Sequence, residues 1–402
     1  MHYAILTKFQ RNDIIVVRIG LTLDKLPPNL GPFTILDAKK PRFMNDFIEA
    51  FQSDSPSWKD VSIPDMRKSR SSITLAKLIP QPGAAIIITD ILKNENYVTT
   101  LRKLTDFMQS GSWREVDKYE KQLMKQKMEP KSDLIIEQLV YIAICSCLRN
   151  DFNKADKLTS IAQNCVERAE NRDLLEGRLN YLIGYRHMKE RNFEKAFCHF
   201  DKALTVFKQF GPTFWLGTVY MHWTYTRYKT GGYEDTDAVI ADLEISAYIL
   251  GEPGHGLTYY LKQRVLFMMV VILLDCDSLE GRARNLNSAE QKIIRAQGIM
   301  NRYYSTRGDH RYQSKYAECH SLLAEACYHY RLGQIQKNRI SAMGQEYTMG
   351  KEYAEKGKRI AIKYGFQSEL HYINSFLIDF ERLSNTNSRV PFTGCEIIPM
   401  TQ

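Results

Sequence analysis

Apolar and polar positions follow two regimes along the chain, with the change near residue 99. In the later regime, Gly184 to Ala203 (GYRHMKERNFEKAFCHFDKA) sets the pattern. Ala196, Phe200 and Ala203 recur at intervals of four and three, which places them on one face of a helix. Gly184 falls in the preceding helix, where a missing side chain lets a second helix cross closely. The polar stretch Lys189 to Asn192 is the turn between them. An aromatic follows each such turn at Trp113, Phe152, Phe193 and Tyr233, at steps of 39, 41 and 40 residues. Val116 and Leu123, Ala155 and Ala162, and Leu243 keep the same phase.

Further pairs follow. Leu257 to Leu274 precedes a helix over Ala289 to Asn301 with Ala289, Ile293 and Ala296 on its packing face. Tyr312 to Leu332 carries Tyr316, Cys319, Leu323, Ala326 and Tyr330 on one face, with Gly333 as its expected stop. Met343 to Tyr364 closes at Gly365, and a last helix, Gln367 to Leu383, caps the array. The run Val265 to Leu274 is apolar all round, reads as a buried helix, and is about half the length needed to span a bilayer.

The recurring order of small residue, turn, aromatic, Ala, aromatic, Ala resembles the tetratricopeptide (TPR) repeat. The resemblance implies a mainly α protein: a TPR-like α-solenoid of about six helix pairs plus a capping helix, over residues 99–385. A period near forty implies helices about a turn longer than in the plain motif. Each pair is stable only against its neighbours, and the first helices line an inner surface suited to an extended peptide.

The opening segment reads differently. Tyr3 to Gln10 is taken as the end of a helix. Ile14 to Gly20 (IIVVRIG) is a buried strand of the kind found in parallel sheets, and Thr34 to Ala38 a second, short one. Phe43, Phe47, Ile48 and Phe51 then share a helical face. Ile14 to Ile19, Leu26-Pro27-Pro28, Ile35-Leu36-Asp37 and Phe43 to Phe51 together resemble the C-terminal half of a Toll/interleukin-1 receptor (TIR) domain. This gives a partial TIR-like α/β segment at 1–53. A complete TIR domain also has an earlier half, with further strands, a pairing loop and the glutamate of NAD-cleaving members. The expectation is that this half would precede Met1, that the chain is a fragment or an alternative start, and that the remnant is poorly ordered alone or leans on the repeats. Residues 54–98, rich in Ser and Pro, read as a linker, and 386–402 as a flexible tail.

Composition adds limits. The chain has 402 residues, with 44% hydrophobic and 25% charged content, as in soluble globular proteins. A formal charge of +9 without a basic stripe and interleaved aromatics points away from nucleic acid. Eight scattered cysteines, with no CxxC, suggest small hydrophobes in a reducing, cytoplasmic setting. No phosphate-binding glycine loop occurs.

Candidate chemistry is sparse. His310, His320 and His329 lie near Cys319 and Cys327, but helical spacing scatters them, so packing outweighs a zinc site. His187, His199 and His222 have no nucleophile at a recognisable spacing. Glu115, Glu120 and Glu137 read as helix-surface carboxylates. On the TPR resemblance, Arg178, Tyr181, Tyr185, Met221 and Tyr225 face the groove and would contact a peptide. The carboxylate-clamp positions of chaperone-binding members hold Val140, Ile144, Tyr181 and Tyr185, which do not make such a clamp. The expected function is a non-enzymatic protein-interaction scaffold or adaptor without cofactor or metal. Its expected partners are a protein or peptide ligand in the concave groove and TIR domains, with no nucleic acid and no membrane. The TIR resemblance implies innate immune or cell-death signalling. The alternatives are a regulatory part of an NAD-cleaving TIR protein and a co-chaperone or transport adaptor.

Overall fold

A computed structural model describes residues 2–8, 13–19, 34–37, 91, 94–125, 133–211, 213–233, 235–250, 259–278, 281–282, 289–306, 314–336 and 340–385. The chain divides into two units, 1–69 and 70–402.

In the first unit, β1 (His2–Lys8), β2 (Asp13–Ile19) and β3 (Thr34–Asp37) form one sheet in that order. β1 runs antiparallel to β2, with Ile5 opposite Val16, and β2 runs parallel to β3. The two expected strands are present. Residues 3–8 are strand, not the end of a helix, because β2 supplies a partner for their backbone N–H and C=O groups. β2 is thus the central strand, with a neighbour on each side. The helix expected over 43–51, nearly all of the linker and the tail lie outside the described residues.

The second unit is helical. Its helices are α1 (Glu95–Ser110), α2 (Trp113–Lys125), α3 (Asp133–Leu148), α4 (Phe152–Val166), α5 (Arg172–Lys189) and α6 (Phe193–Lys208). They continue as α7 (Phe214–Lys229), α8 (Thr236–Ile249), α9 (Tyr259–Leu273), α10 (Ala289–Thr306), α11 (Lys315–Ile335), α12 (Ile340–Tyr364) and α13 (Gln367–Asn385). Successive helices pack against one another, and first helices also touch the next first helix, as in α1 with α3, α3 with α5, and α9 with α11. Among the described residues this is an α-solenoid arrangement of six pairs followed by one helix.

One turn recurs between the helices of a pair. Gly111, Asn150, Arg191 and Gly231 have left-handed backbones with φ of 66°, 59°, 63° and 75°, each two residues before the marker aromatic. The N–H one residue later reaches back to a carbonyl five residues earlier: Ser112 to Phe107, Asp151 to Ser146, Asn192 to His187 and Gly232 to Arg227. That is the Schellman closure of a helix C-terminus. Asp275, followed by Cys276 to Val271, repeats it after α9, and Gly365, followed by Phe366 to Ala361, after α12. Asn94, Asp151, Asn192, Thr213, Asp235 and Ser314 then cap the helix that follows by accepting a backbone N–H. Gly333 does not stop α11, which runs on to Ile335. Its missing side chain instead admits the Tyr347 ring of α12, which a Cβ there would approach to 2.6 Å.

The packing faces are those the spacing predicts. Ala155, Ala162, Ala196, Phe200, Ala203 and Leu243 are fully buried. A Cβ on Gly184 would lie 2.8 Å from the Phe200 ring and 3.2 Å from the Ala196 carbonyl oxygen, so the close crossing is real. Cys145, Cys147, Cys276, Cys319 and Cys327 are buried free thiols.

The array does not stay open. α1 touches α11 as well as α3. Trp113 Nε1 donates to the Tyr364 carbonyl at 2.6 Å, and the Trp113 and Phe366 rings meet edge to face at 6.0 Å. Ser314, capping α11, donates to the Gln109 side chain. α13 lies against the C-terminal ends of α5 and α9, through Lys189 to Glu369 and Tyr372 to the Cys276 carbonyl. The stack therefore curls until its first pair meets its last helices, and the expected concave groove becomes the interior of a ring.

Candidate functional site

The inner wall draws one helix from every pair. A cavity of about 40 Å³ is lined by Gln109 of α1, Tyr141 of α3, Arg178, Tyr181 and Tyr185 of α5, Thr218 of α7, Arg264 of α9 and Tyr316 of α11, among others.

Of the five residues expected in a peptide groove, Arg178, Tyr181 and Tyr185 line this cavity. They are 3%, 4% and 2% exposed, so each is buried among its neighbours. Met221 is fully buried, and neither it nor Tyr225 lines the cavity. Tyr225 packs edge to face on Phe193 at 6.0 Å, between α7 and the start of α6. The space these three residues line is narrow and is bounded on its far side by Tyr316 of α11.

Glu137 is not a surface carboxylate. It is fully buried and accepts from Arg178 Nε at 2.8 and 3.0 Å. The guanidinium lies 5.4 Å from the Tyr141 and Tyr181 ring centres. Burial works against the Arg178 charge, but Glu137 outweighs it and raises the group above its ordinary range. The signal was present: α3 is apolar nearly all round, so an acid there has no polar face to occupy. Glu115 does sit on the surface with Lys118, and Glu120 pairs with Lys154 at 2.5 Å.

A second polar cluster joins α5, α11 and α13. Glu369 receives Tyr316 Oη at 2.7 Å and Lys189 Nζ at 3.3 Å, with His320 Nε2 3.6 Å away. Burial pushes the Glu369 carboxyl up, but Lys189, His320 and Ser368 outweigh it and hold it well below the usual carboxylate range. Burial also lowers Lys189, and it keeps His320 and His222 below the ordinary imidazole value. His222 is fully buried among Tyr181, Tyr185 and Phe200, with Nδ1 3.0 Å from the Thr218 carbonyl.

Arg264 stands apart. Its guanidinium lies 5.9 Å from the Tyr185 ring centre and 5.8 Å from that of Tyr316. No carboxylate of the described residues comes within ion-pair distance of it, and its buried Nε has no hydrogen-bond acceptor. The sequence marks Tyr316 as a packing residue and gives no sign of Arg264 or Gln109, which line the same space, or of Glu369, which binds Tyr316. His329 pairs with Glu346 at 2.7 Å, and no metal-holding cluster of His, Cys, Asp and Glu occurs among the described residues. No helix of the described residues is long and apolar enough to cross a membrane. Comparison with family models, with curated proteins and with solved structures gives no match to this chain.

Proposed function

We propose that the helical unit is a protein-interaction scaffold whose recognition surface is the inner wall, held shut in the ring form. The observation that carries this reading is the wall itself: Tyr141, Tyr181, Tyr185 and Tyr316, with Arg178, line one space from three different pairs. Tyrosine and arginine are the side chains that anchor protein interfaces, because they offer large, rigid, amphipathic contact area. The seam where α1 and α2 meet α11–α13 is the place for the ring to open. It rests on the Trp113 hydrogen bond, the Trp113–Phe366 contact and the Ser314–Gln109 hydrogen bond. The TIR resemblance of residues 14–51 supports a setting in innate immune or cell-death signalling.

The test is peptide-display selection on the full chain and on a Trp113→Ala chain, with each selected peptide carrying a photo-crosslinker. Peptides should bind the Trp113→Ala chain at least about tenfold more tightly, since loosening the seam raises the fraction of chains able to bind. They should label α3 and α5. Equal binding to both chains, or labelling confined to α6, α8 and α10, would overturn the groove reading. Turnover of NAD by this chain would replace a scaffold with an enzyme.

A further inference from the structure

Two of the buried thiols meet. Cys276 closes the turn after α9, and Cys327 lies in the middle of α11. Both are fully buried, and both are free. Cys276 Sγ is 4.0 Å from the Cys327 carbonyl oxygen, and the two thiols lie within hydrogen-bonding reach of each other. The remaining buried thiols are placed differently. Cys145 and Cys147 stand two positions apart on α3, so their side chains leave the helix on different sides. Cys319 Sγ points at the Gly357 carbonyl, 3.7 Å away.

Cations surround the meeting thiols. Arg331 lies one helical turn beyond Cys327. It donates from Nε to the Leu274 carbonyl at 2.7 Å and from Nη2 to the Asp275 carbonyl at 2.9 Å, the two residues before Cys276. The buried Arg282 guanidinium is 5.7 Å from the ring centre of Tyr372, whose hydroxyl donates to the Cys276 carbonyl. Burial pushes the Cys276 thiol up, but the Cys327 hydrogen bond and the Arg331 and Arg282 charges outweigh it and bring the group below its ordinary range. Burial and the neighbouring Cys276 push Cys327 well above that range. Burial likewise pushes Cys145 and Cys147 up to about 12. A thiolate-prone sulfur beside a protonated one is the division between an attacking and a resolving cysteine.

We propose that Cys276 and Cys327 are an oxidative modification site that hydrogen peroxide converts to a reversible disulfide, with Cys276 attacking and Cys327 resolving. The Cys276 thiolate attacks one peroxide oxygen. Its S–O bond forms as the O–O bond breaks, and the departing hydroxide takes up a proton to become water. The Cys327 sulfur then attacks the sulfenic sulfur. The S–S bond forms as the S–O bond breaks, and hydroxide leaves with the Cys327 proton as a second water. The two sulfurs together lose two electrons, which the peroxide gains. A dithiol reductant returns both thiols by exchange. Hydrogen peroxide is close to water in size and enters by local opening of α13, whose Tyr372 lies over the pair. The bond ties the end of α9, in the fifth pair, to α11 in the sixth, across 51 positions, and so stiffens that joint of the array. This goes beyond the scaffold reading and does not depend on it.

The reduced full chain is given hydrogen peroxide in steps of one equivalent. After each step the free thiols are blocked in denaturant, and the monomeric fraction is digested without reduction and mapped by mass spectrometry. A 276–327 disulfide should form before Cys145, Cys147 or Cys319 is oxidised, and dithiothreitol should restore both thiols. The oxidised monomer should melt several degrees above the reduced one. Cys327→Ala should leave Cys276 as a sulfenic acid that dimedone traps, and Cys276→Ala should leave Cys327 a free thiol at the same dose. The wild-type map decides even if neither variant folds. Cys276 and Cys327 still free once the exposed Cys198 is fully oxidised, a bond from either to another cysteine, or an oxidised chain that melts no higher would overturn the proposal. Oxidation of Cys327 in Cys276→Ala at the same dose would be equally contrary.

Discussion

The Glu137–Arg178 pair offers a quantitative check on whether the inner wall is sealed. Arg178→Met keeps most of the side-chain volume and strands Glu137, which is fully buried. The pair is short, at 2.8 Å, and the cation is also sandwiched by Tyr141 and Tyr181. Removing one partner of a buried pair costs about 3–5 kcal/mol, because the other charge stays out of water without compensation. With a urea slope of about 3 kcal/mol/M, the midpoint falls by more than about 1 M. Replacing both residues, Arg178→Met with Glu137→Leu, removes both desolvation costs and should recover most of that loss. The exposed Arg295–Asp237 pair is the control: Arg295→Met should cost no more than about 1 kcal/mol. Equilibrium urea unfolding followed by circular dichroism reads all four chains. If Arg178→Met costs no more than Arg295→Met, the wall faces water, and a sealed interior is refuted.

Other outcomes follow from the turns and the buried histidine. Gly231→Ala should cost about 1 kcal/mol in a thermal melt, since a Cβ there meets nothing and only the left-handed backbone resists it. Gly111→Ala should cost distinctly more, because its Cβ would also lie 2.8 Å from the Tyr364 carbonyl oxygen across the seam. Arg191→Gly, relieving a left-handed φ of 63° on a side chain ill suited to it, should stabilise by about 0.5–1 kcal/mol. Burial depresses the His222 pKa in the folded chain, so the unfolded chain binds the extra proton first. Stability should therefore be complete above about pH 6.5 and fall below it by about 1.4 kcal/mol per pH unit for this one group. His222→Phe should flatten that slope by one proton, as read from urea midpoints between pH 7 and 5. Glu369, depressed in the fold, adds a loss only below the ordinary carboxylate pKa of 4.5.

Much of the helical unit was legible because it rests on local rules. The marker aromatics begin α2, α4 and α6, and the small residues of the packing faces are buried as their spacing requires. Gly111, Gly231 and Gly365 announce their turns, since glycine takes a left-handed backbone without strain. Arg191 gives no such sign, and its turn is set by the cap at Asn192 and the close crossing at Gly184. Gly333 shows the same ambiguity from the other side, for a glycine can stop a helix or admit a ring. Closure was not legible. It joins Trp113 to Tyr364, 251 positions apart, and depends on a small rotation accumulated from pair to pair that no local pattern encodes. Arg178, Tyr181 and Tyr185 lie on a first helix, α5, and Tyr316, which lines the same space, comes from the far end of the array. Glu137 could have been recognised, as an acid within the apolar run LIIEQLVYI.

The closing contact is best tested by placing a photo-crosslinking benzoylphenylalanine at position 112, which leaves the Trp113 hydrogen bond and ring contact in place. After irradiation, the monomeric fraction is digested and its crosslinked peptides are mapped by mass spectrometry. A closed ring places the probe beside Tyr364, Gly365 and Phe366, so the main crosslink should join the α1–α2 turn to the α12–α13 turn. Crosslinks confined to α1 and α3 within the monomer would mean an open stack and would contradict the account.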